Sequence, residues 1–317
     1  MSESSRPAAT AALARRLLAY QAERFPLAGF VPLISSFAFS SAAFSRLARG
    51  EPGFIDLRLF AVGAFTALVF FFMLRVLDEH KDADLDRRYR PELPVPRGLV
   101  TLAELRWAGG AALAAALVLN AVFFPVLMLP FLAVAAWATL MTKEFFVRDW
   151  LRVHITAYLL THMAIMPIID AYTTGLDWLI AGAAPPHGLL LFLAVTFANG
   201  ILIEVGRKLR DPAGEREGVD SYTGAWGLRV APAVWIATLV ASAVLACLAA
   251  RHTGTAVAAT VVLGVLGLGC AIPAVRFLRA PSAAGAAAIE RASQLWPLAT
   301  YLMLGAGPFV IRALSSR

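Results

Sequence analysis

"LFAVGAFTALVFFFMLRVLDEHKDADLD" runs from Leu59 to Asp86. No charge appears between Leu59 and Leu74, and then five acidic residues crowd the nine positions from Asp78 to Asp86. An apolar run of this kind approaches the ~20 residues that a helix needs to cross a bilayer. A carboxylate at the bilayer centre costs about 2.5–3.5 kcal/mol on insertion scales. The acids therefore belong at a membrane edge. The stretch reads as a spanning helix that emerges into a carboxylate-lined rim.

The rest of the chain repeats the apolar part of this pattern. Of its 317 residues, 59% are hydrophobic and 15% charged, against about a quarter charged in soluble domains. Nine segments approach spanning length: 28–47, 57–77, 99–119, 121–141, 153–173, 187–205, 228–250, 254–276 and 294–314. They are continuous rather than alternating, and lipid demands that each backbone group be satisfied internally, so helices are expected. The expected fold is all-α, with nine transmembrane helices bundled around a central cavity that opens to the cytoplasmic side. Residues 28–317 form one transmembrane domain behind an interfacial segment, 1–27. Within that segment, residues 12–27 read as a basic amphipathic helix suited to an anionic inner leaflet. The first 26 residues are polar and basic, so no cleavable signal peptide is expected. The third and fourth spans meet at Asn120 as a tight hairpin. "AAGAAAIERAS", after Pro281, reads as a short cytoplasmic helix. Cys247 and Cys270 lie in apolar runs, outside any metal or redox motif.

Lys and Arg set the orientation. Of 28 such residues, 22 fall in the N-terminus and alternate loops, against Arg46, Arg49, Arg58, Arg251, Arg312 and Arg317 on the other side. This predicts a multi-pass protein of a bacterial-type inner membrane, with the N-terminus and the acidic stretch in the cytoplasm and the C-terminus outside. The net charge of +7 is spread between spans, not gathered on one basic domain. A nucleic-acid partner is therefore not expected.

Asp78, Asp82 and Asp86 are spaced i, i+4, i+8, along one helical face. Glu79 lies beside the first, and Asp84 on another face. Such a stripe needs cations. Mg²⁺ takes oxygen ligands and bridges one or two carboxylates to substrate phosphates, whereas zinc would want neighbouring His or Cys. The competing reading is a solvated loop whose acids pair with Lys81, Arg87 and Arg88. A second cluster, "IEVGRKLRDPAGE" (203–215), closes the sixth span. Glu204, Asp211 and Glu215 share a face if the helix continues, which Pro212 and Gly214 oppose. Arg207, Lys208 and Arg210 interleave with them and suit phosphate. If the two clusters converge, they form a Mg²⁺-loaded polyphosphate pocket. Asp78, Asp82, Asp86 and Glu204 are then the catalytic acids, and Glu79, Asp211 and Glu215 further metal ligands. In the fifth span, His154, Tyr158 and His162 are again spaced i, i+4, i+8. Tyr158 and His162 read either as the wall of an acceptor or prenyl pocket or as interhelical hydrogen-bonding groups, and Asn199 has the same two readings. Asp170 is expected at the far interface. The phenylalanines of the second span (Phe60, Phe65, Phe70, Phe71, Phe72) are expected mainly on packing or lipid-facing surface, with one or two of them lining the prenyl tunnel.

This arrangement resembles the UbiA superfamily of intramembrane prenyltransferases over nearly the whole chain. The family's first motif is Asn-Asp-x-x-Asp-x-x-x-Asp, followed by an Arg-Pro element. "DEHKDADLD" places Asp78 at the Asn, Glu79 at the first Asp, and Asp82 and Asp86 at the others. "YRPELPVPRGLVT" is similar to the segment that follows, which implies Arg90 and Arg97 as diphosphate contacts. "GVDSYTGAWG" looks like the end of the second motif (Gly218, Ser221, Tyr222, Gly227). It adds Tyr222 to the diphosphate side, with Arg207, Lys208 and Arg210. Upstream, basic residues stand where that motif has aspartates, so Arg207 and Lys208 would partly replace the second Mg²⁺ that the resemblance implies, by neutralising phosphate directly. "LMTKEFF" is similar to part of a third segment, which implies Lys143. The resemblance implies Mg²⁺-dependent transfer of an isoprenyl group from an isoprenyl diphosphate to a hydrophobic acceptor, aromatic or lipid. Metal and cations stabilise the departing diphosphate, and an intramembrane cavity keeps water from the allylic cation. A terpene cyclase on the same scaffold fits the first motif equally. A transporter of anions or divalent ions fits less well, because the charges cluster on one side and not at the midplane.

Overall fold

A computed structural model describes residues 5–216 and 219–315. Every regular element among them is helical: α1 (Ser5–Arg24), α2 (Leu27–Ala48), α3 (Leu57–Lys81), α4 (Ala83–Tyr89), α5 (Leu102–Phe123), α6 (Met128–Thr142), α7 (Arg148–Val153), α8 (Ile155–Met163), α9 (Ile165–Trp178), α10 (Leu189–Arg207), α11 (Tyr222–Ala249), α12 (Ala256–Arg279), α13 (Ala283–Gly305) and α14 (Gly307–Ser315), with three short 3₁₀ turns. Eight spans among the described residues are long and apolar enough to cross a membrane. The pair α13–α14, bent by 51°, makes a ninth if it counts as one span. The protein is a multi-pass helical membrane protein, as its composition requires.

Two boundaries differ from expectation for clear physical reasons. Asn120 is buried inside α5 and not at a hairpin turn. Its Nδ2 donates to Thr66 Oγ1 at 2.9 Å, and its Oδ1 accepts from Tyr172 at 2.8 Å. Its amide is satisfied between helices, and the chain turns four residues later, at Phe124. "AAGAAAIERAS" is not a separate cytoplasmic helix. Ser282 caps Gly285 N–H at 3.2 Å, and the alanine-rich run, strong in helix propensity, continues unbroken to Gly305.

Helices α2, α9, α10 and α13 pack together as a spine. On one side α3 and α6 close against α9 and α5 packs outside them, and on the other α11 and α12 close against α10 and α13. The outer face is apolar: Leu190 and Val257 are each 81% exposed and Leu268 74%. Lipid supplies no hydrophobic drive between helices, so packing and interhelical hydrogen bonds hold the bundle. Buried polar clusters do this here. Asn199 donates to Thr300 and accepts from Ser242, both at 2.8 Å, which is the helix–helix reading of this residue; nothing places it in a pocket. Asp170 is not interfacial. It is buried, and accepts from Ser41 (2.7 Å), Thr173 (3.1 Å) and Tyr301. The interfacial role falls to Asp177, which holds Arg49 at 2.9 Å and Arg46 at 3.3 Å.

The N-terminal helix α1 turns its polar face to the protein. Arg16 meets Glu104 at 2.5 Å, Arg24 meets Glu79 at 2.7 Å, and Arg97 meets Glu23 at 2.5 Å. Phe25 stacks on Phe30 and tilts against Phe72. The helix clamps the ends of α3 and α5 and the segment that joins them.

Candidate functional site

The site is built where α3, α8, α10 and α11 end or begin. α3 stops at Lys81 and α4 starts at Ala83, yet the i-to-i−4 ladder bridges the break: Asp82 N–H bonds Asp78 C=O at 2.9 Å, and Asp86 N–H bonds Asp82 C=O at 2.8 Å. The three aspartates stay in register but face different surroundings. Asp78 lines a pocket with Leu74, Leu77, Lys81, Met141 and His162. Among the described residues, neither Asp78 nor Asp82 makes an ion pair within 4 Å. Asp86 is buried, 3.6 Å from Arg90. Burial pushes its carboxyl above the usual range, while Arg90 pulls the other way. Asp84 is exposed and 3.8 Å from Arg87, the bystander that the spacing implied.

Glu79 departs from its expected metal-ligand role. It is 2% exposed, binds Arg24, and accepts from Tyr20 Oη at 3.4 Å. Its carboxylate anchors α1.

The second cluster is rearranged by the end of α10 at Arg207. The chain then turns through Pro212–Gly214, so Glu204, Asp211 and Glu215 do not share a helical face. Glu204 is buried and bound by Arg207 Nε at 2.6 Å and Lys208 Nζ at 2.9 Å. Glu215 accepts from Ser221 at 2.6 Å and Thr223 at 2.8 Å, fastening the loop to the start of α11. Arg210 donates to the carbonyls of Arg207 (2.9 Å) and Leu209 (2.8 Å). Gly218 lies outside the described residues. Gly227 breaks α11 at φ 87°, ψ 161°, a conformation open to glycine alone at little cost. The break separates the turn that holds Tyr222 from the long helix.

Two further diphosphate candidates stand apart. Arg97 is engaged by Glu23 and by the Glu92 carbonyl, at 2.8 Å. Lys143 is exposed at the end of α6.

The two clusters nonetheless meet, and Tyr158 joins them. Its hydroxyl accepts from Lys81 Nζ at 2.7 Å. Lys208 Nζ lies 5.9 Å from the Tyr158 ring and 5.9 Å from that of Tyr222. Asp78, one turn before Lys81 on α3, lines a pocket with it. His162 stacks on Tyr158 at 3.8 Å, with Nδ1 2.9 Å from the Tyr158 carbonyl. His162 Nε2 and Tyr222 Oη are buried polar atoms without a hydrogen-bond partner. Unsatisfied groups of this kind are uncommon in folded proteins; His162 lines the pocket with Asp78 and Lys81, and the Tyr222 ring lies beside Lys208. His154 stacks on Trp150 at 4.3 Å.

Two features lie outside the sequence expectations. Lys81 enters them only in the competing reading, as a counter-ion of a solvated loop, yet it lines the pocket; its i+3 spacing from Asp78 is the available signal. Glu144, Phe145 and Phe146 all have positive φ (47°, 52° and 61°), a left-handed turn that costs about 1–2 kcal/mol per residue. It brings the Phe145 ring to 5.4 Å from Trp137 and 6.0 Å from His162. No glycine marks this turn. Of the second-span phenylalanines, Phe71 lines a second, apolar pocket with Phe37, Met166, Asp170 and Tyr301, whereas Phe70 packs on Phe131 and Tyr172.

Among the described residues, no group of three or more His, Cys, Asp or Glu is placed to hold a metal. Asp78 and Asp82 suit one hard ion that completes its shell with phosphate and water. The second cluster offers no such seat, because Glu204 is occupied by two cations.

The architecture is similar to that of two solved structures. One is of a digeranylgeranylglyceryl phosphate synthase in membranes: TM-score 0.63, 14% identity, covering 93% of this chain and 99% of that one. The other is an apo UbiA homologue from Aeropyrum pernix: TM-score 0.62, 18% identity, covering 88% of this chain and 98% of that one. The chain has the UbiA fold. No family model and no curated protein matches the sequence. The UbiA fold is therefore reached here with little sequence in common, and the charged pocket described above lies within it.

Proposed function

We propose that this protein is an intramembrane prenyltransferase of the UbiA superfamily. It transfers an isoprenyl group from an isoprenyl diphosphate to a hydrophobic acceptor, aromatic or lipid. The observation that carries this reading is the meeting of Asp78 and Lys81 with Glu204, Arg207 and Lys208 around Tyr158. Acids for a hard cation and cations for phosphate are thus gathered at one end of a lipid-spanning bundle.

Bound at Asp78 and Asp82, Mg²⁺ would withdraw charge from the diphosphate oxygens. The chain's own cations act in the same direction. As the allylic C–O bond breaks, negative charge grows on the leaving group, and Lys81, Arg207 and Lys208 stabilise it where it develops. Leu74, Leu77, Met141 and Phe145 keep water from the allylic cation. His162 Nε2, which lacks a partner, is the group to receive the acceptor's proton. Lysine and arginine asymmetry supports a cytoplasmic pocket, a cytoplasmic N-terminus and an external C-terminus.

The test is to incubate native membranes containing the protein with geranyl, farnesyl and geranylgeranyl diphosphate, and to analyse lipid extracts by mass spectrometry. A mass gain on an acceptor is expected. A new hydrocarbon with released diphosphate would indicate cyclisation instead. No conversion, with ion flux in liposomes, would overturn the enzymatic reading.

A further inference from the structure

The second cluster differs in kind from a metal site. Glu204, its one buried acid, is held between Arg207 and Lys208. Asp211 and Glu215 lie beyond the end of α10, and Glu215 is taken by two hydroxyls. Gathered at Tyr158 are the acids Asp78 and Glu204, with Asp82 next to the first, and three cations, Lys81, Arg207 and Lys208. Donors remain on each cation. An ammonium has three and a guanidinium five. Lys81 gives one to Tyr158, Lys208 one to Glu204, and Arg207 uses one edge on Glu204. The Arg207 side chain is 51% exposed, so its other edge is open.

Resting on the diphosphate-site reading above, we infer that Lys81, Arg207 and Lys208 replace a second divalent ion, so that the site holds a diphosphate with one metal and retains it without any. Lys81 reaches this role from inside the acidic motif itself. One turn of α3 thus presents a carboxylate, Asp78, for a metal and an ammonium, Lys81, for phosphate. Tyr158 fixes the Lys81 head by accepting its hydrogen bond, and Glu204 fixes the other two cations. The cluster is preorganised for an anion and not for a cation.

The test uses full-length protein in nanodiscs, with inorganic diphosphate as probe and calorimetry as readout. Binding in excess EDTA is expected, and Lys81→Met and Lys208→Met should each weaken it about tenfold or more, the scale of one charge-assisted hydrogen bond. Lys81→Arg should restore most of the loss, and thermal melts check that each variant is folded. Titration with Mn²⁺ in the presence of diphosphate, followed by electron paramagnetic resonance, should saturate at one ion per chain. Binding that vanishes in EDTA and returns with Mg²⁺, or saturation at two ions, overturns the inference but leaves the diphosphate site standing. No binding under either condition overturns both.

Discussion

Asp78, Asp82 and Asp84 are near neighbours in sequence with three different settings. Asp78 lines the pocket, Asp82 caps α3 beside it, and Asp84 is exposed on α4. If the first two seat a metal against a diphosphate, Asp78→Asn and Asp82→Asn should each lower kcat/KM by about 10²-fold or more, the scale seen when a transition-state-stabilising group is removed. Asp84→Asn should leave it unchanged. Steady-state kinetics on the three variants decides the matter, and equal losses in all three would sink the assignment. The aspartate spacing was legible because a helix converts i+4 into adjacency. Glu79 was not legible. Its partner Arg24 is 55 residues away, and local periodicity holds no information about which surface a distant helix will cover. Asn199 and Asp170 were ambiguous for the same reason: their partners come from other spans.

At the scale of elements, α1 has an amphipathic pattern whose partner the local sequence does not name. The structure turns its polar stripe onto α3, α5 and the segment between. Glu79 is nearly fully buried, so Arg24→Ala would leave an uncompensated charge. It should destabilise the protein by about 3 kcal/mol or more. Glu79→Gln in the same chain should recover most of that loss in chemical denaturation, because the orphaned charge is gone. The Glu23–Arg97 pair is exposed and weaker. Arg97, by its hydrogen bonds, holds the Glu23 carboxyl below its usual value of 4.5. A carboxyl depressed in the folded state stabilises above its unfolded value and loses that contribution as pH falls through the folded one. A spin label at Leu18→Cys on α1, in a chain with Cys247→Ala and Cys270→Ala, should therefore gain mobility as pH drops below about 4.5. With Glu23→Gln added, that mobility should already be raised at neutral pH. The left-handed turn at 144–146 is the opposite case, a conformation with no sequence signal because tertiary contacts of Phe145 impose it.

At the scale of the whole molecule, the number of spans and their approximate places were legible, because lipid leaves the backbone one solution and apolar length measures it directly; the helix ends were not, and the last span begins at Ala283 and not at residue 294. Which helices form the spine, and which face outward, was not legible. Helix contact in lipid depends on small residues and scattered polar groups, not on an apolar stripe. Orientation rests on a different quantity, the distribution of Lys and Arg. The loop between α10 and α11 has the charged residues of the proposed site, and the loop between α9 and α10 lies at the opposite end of α10. Ala213 and Ala184 are exposed in these two loops. In a chain with Cys247→Ala and Cys270→Ala, Ala184→Cys should react with a membrane-impermeant maleimide added to intact cells, whereas Ala213→Cys should react only after permeabilisation. The reverse pattern would move the charged pocket to the outer face. An isoprenyl diphosphate made in the cytoplasm could not reach it there without first crossing the membrane, so the labelling tests the functional proposal together with the topology.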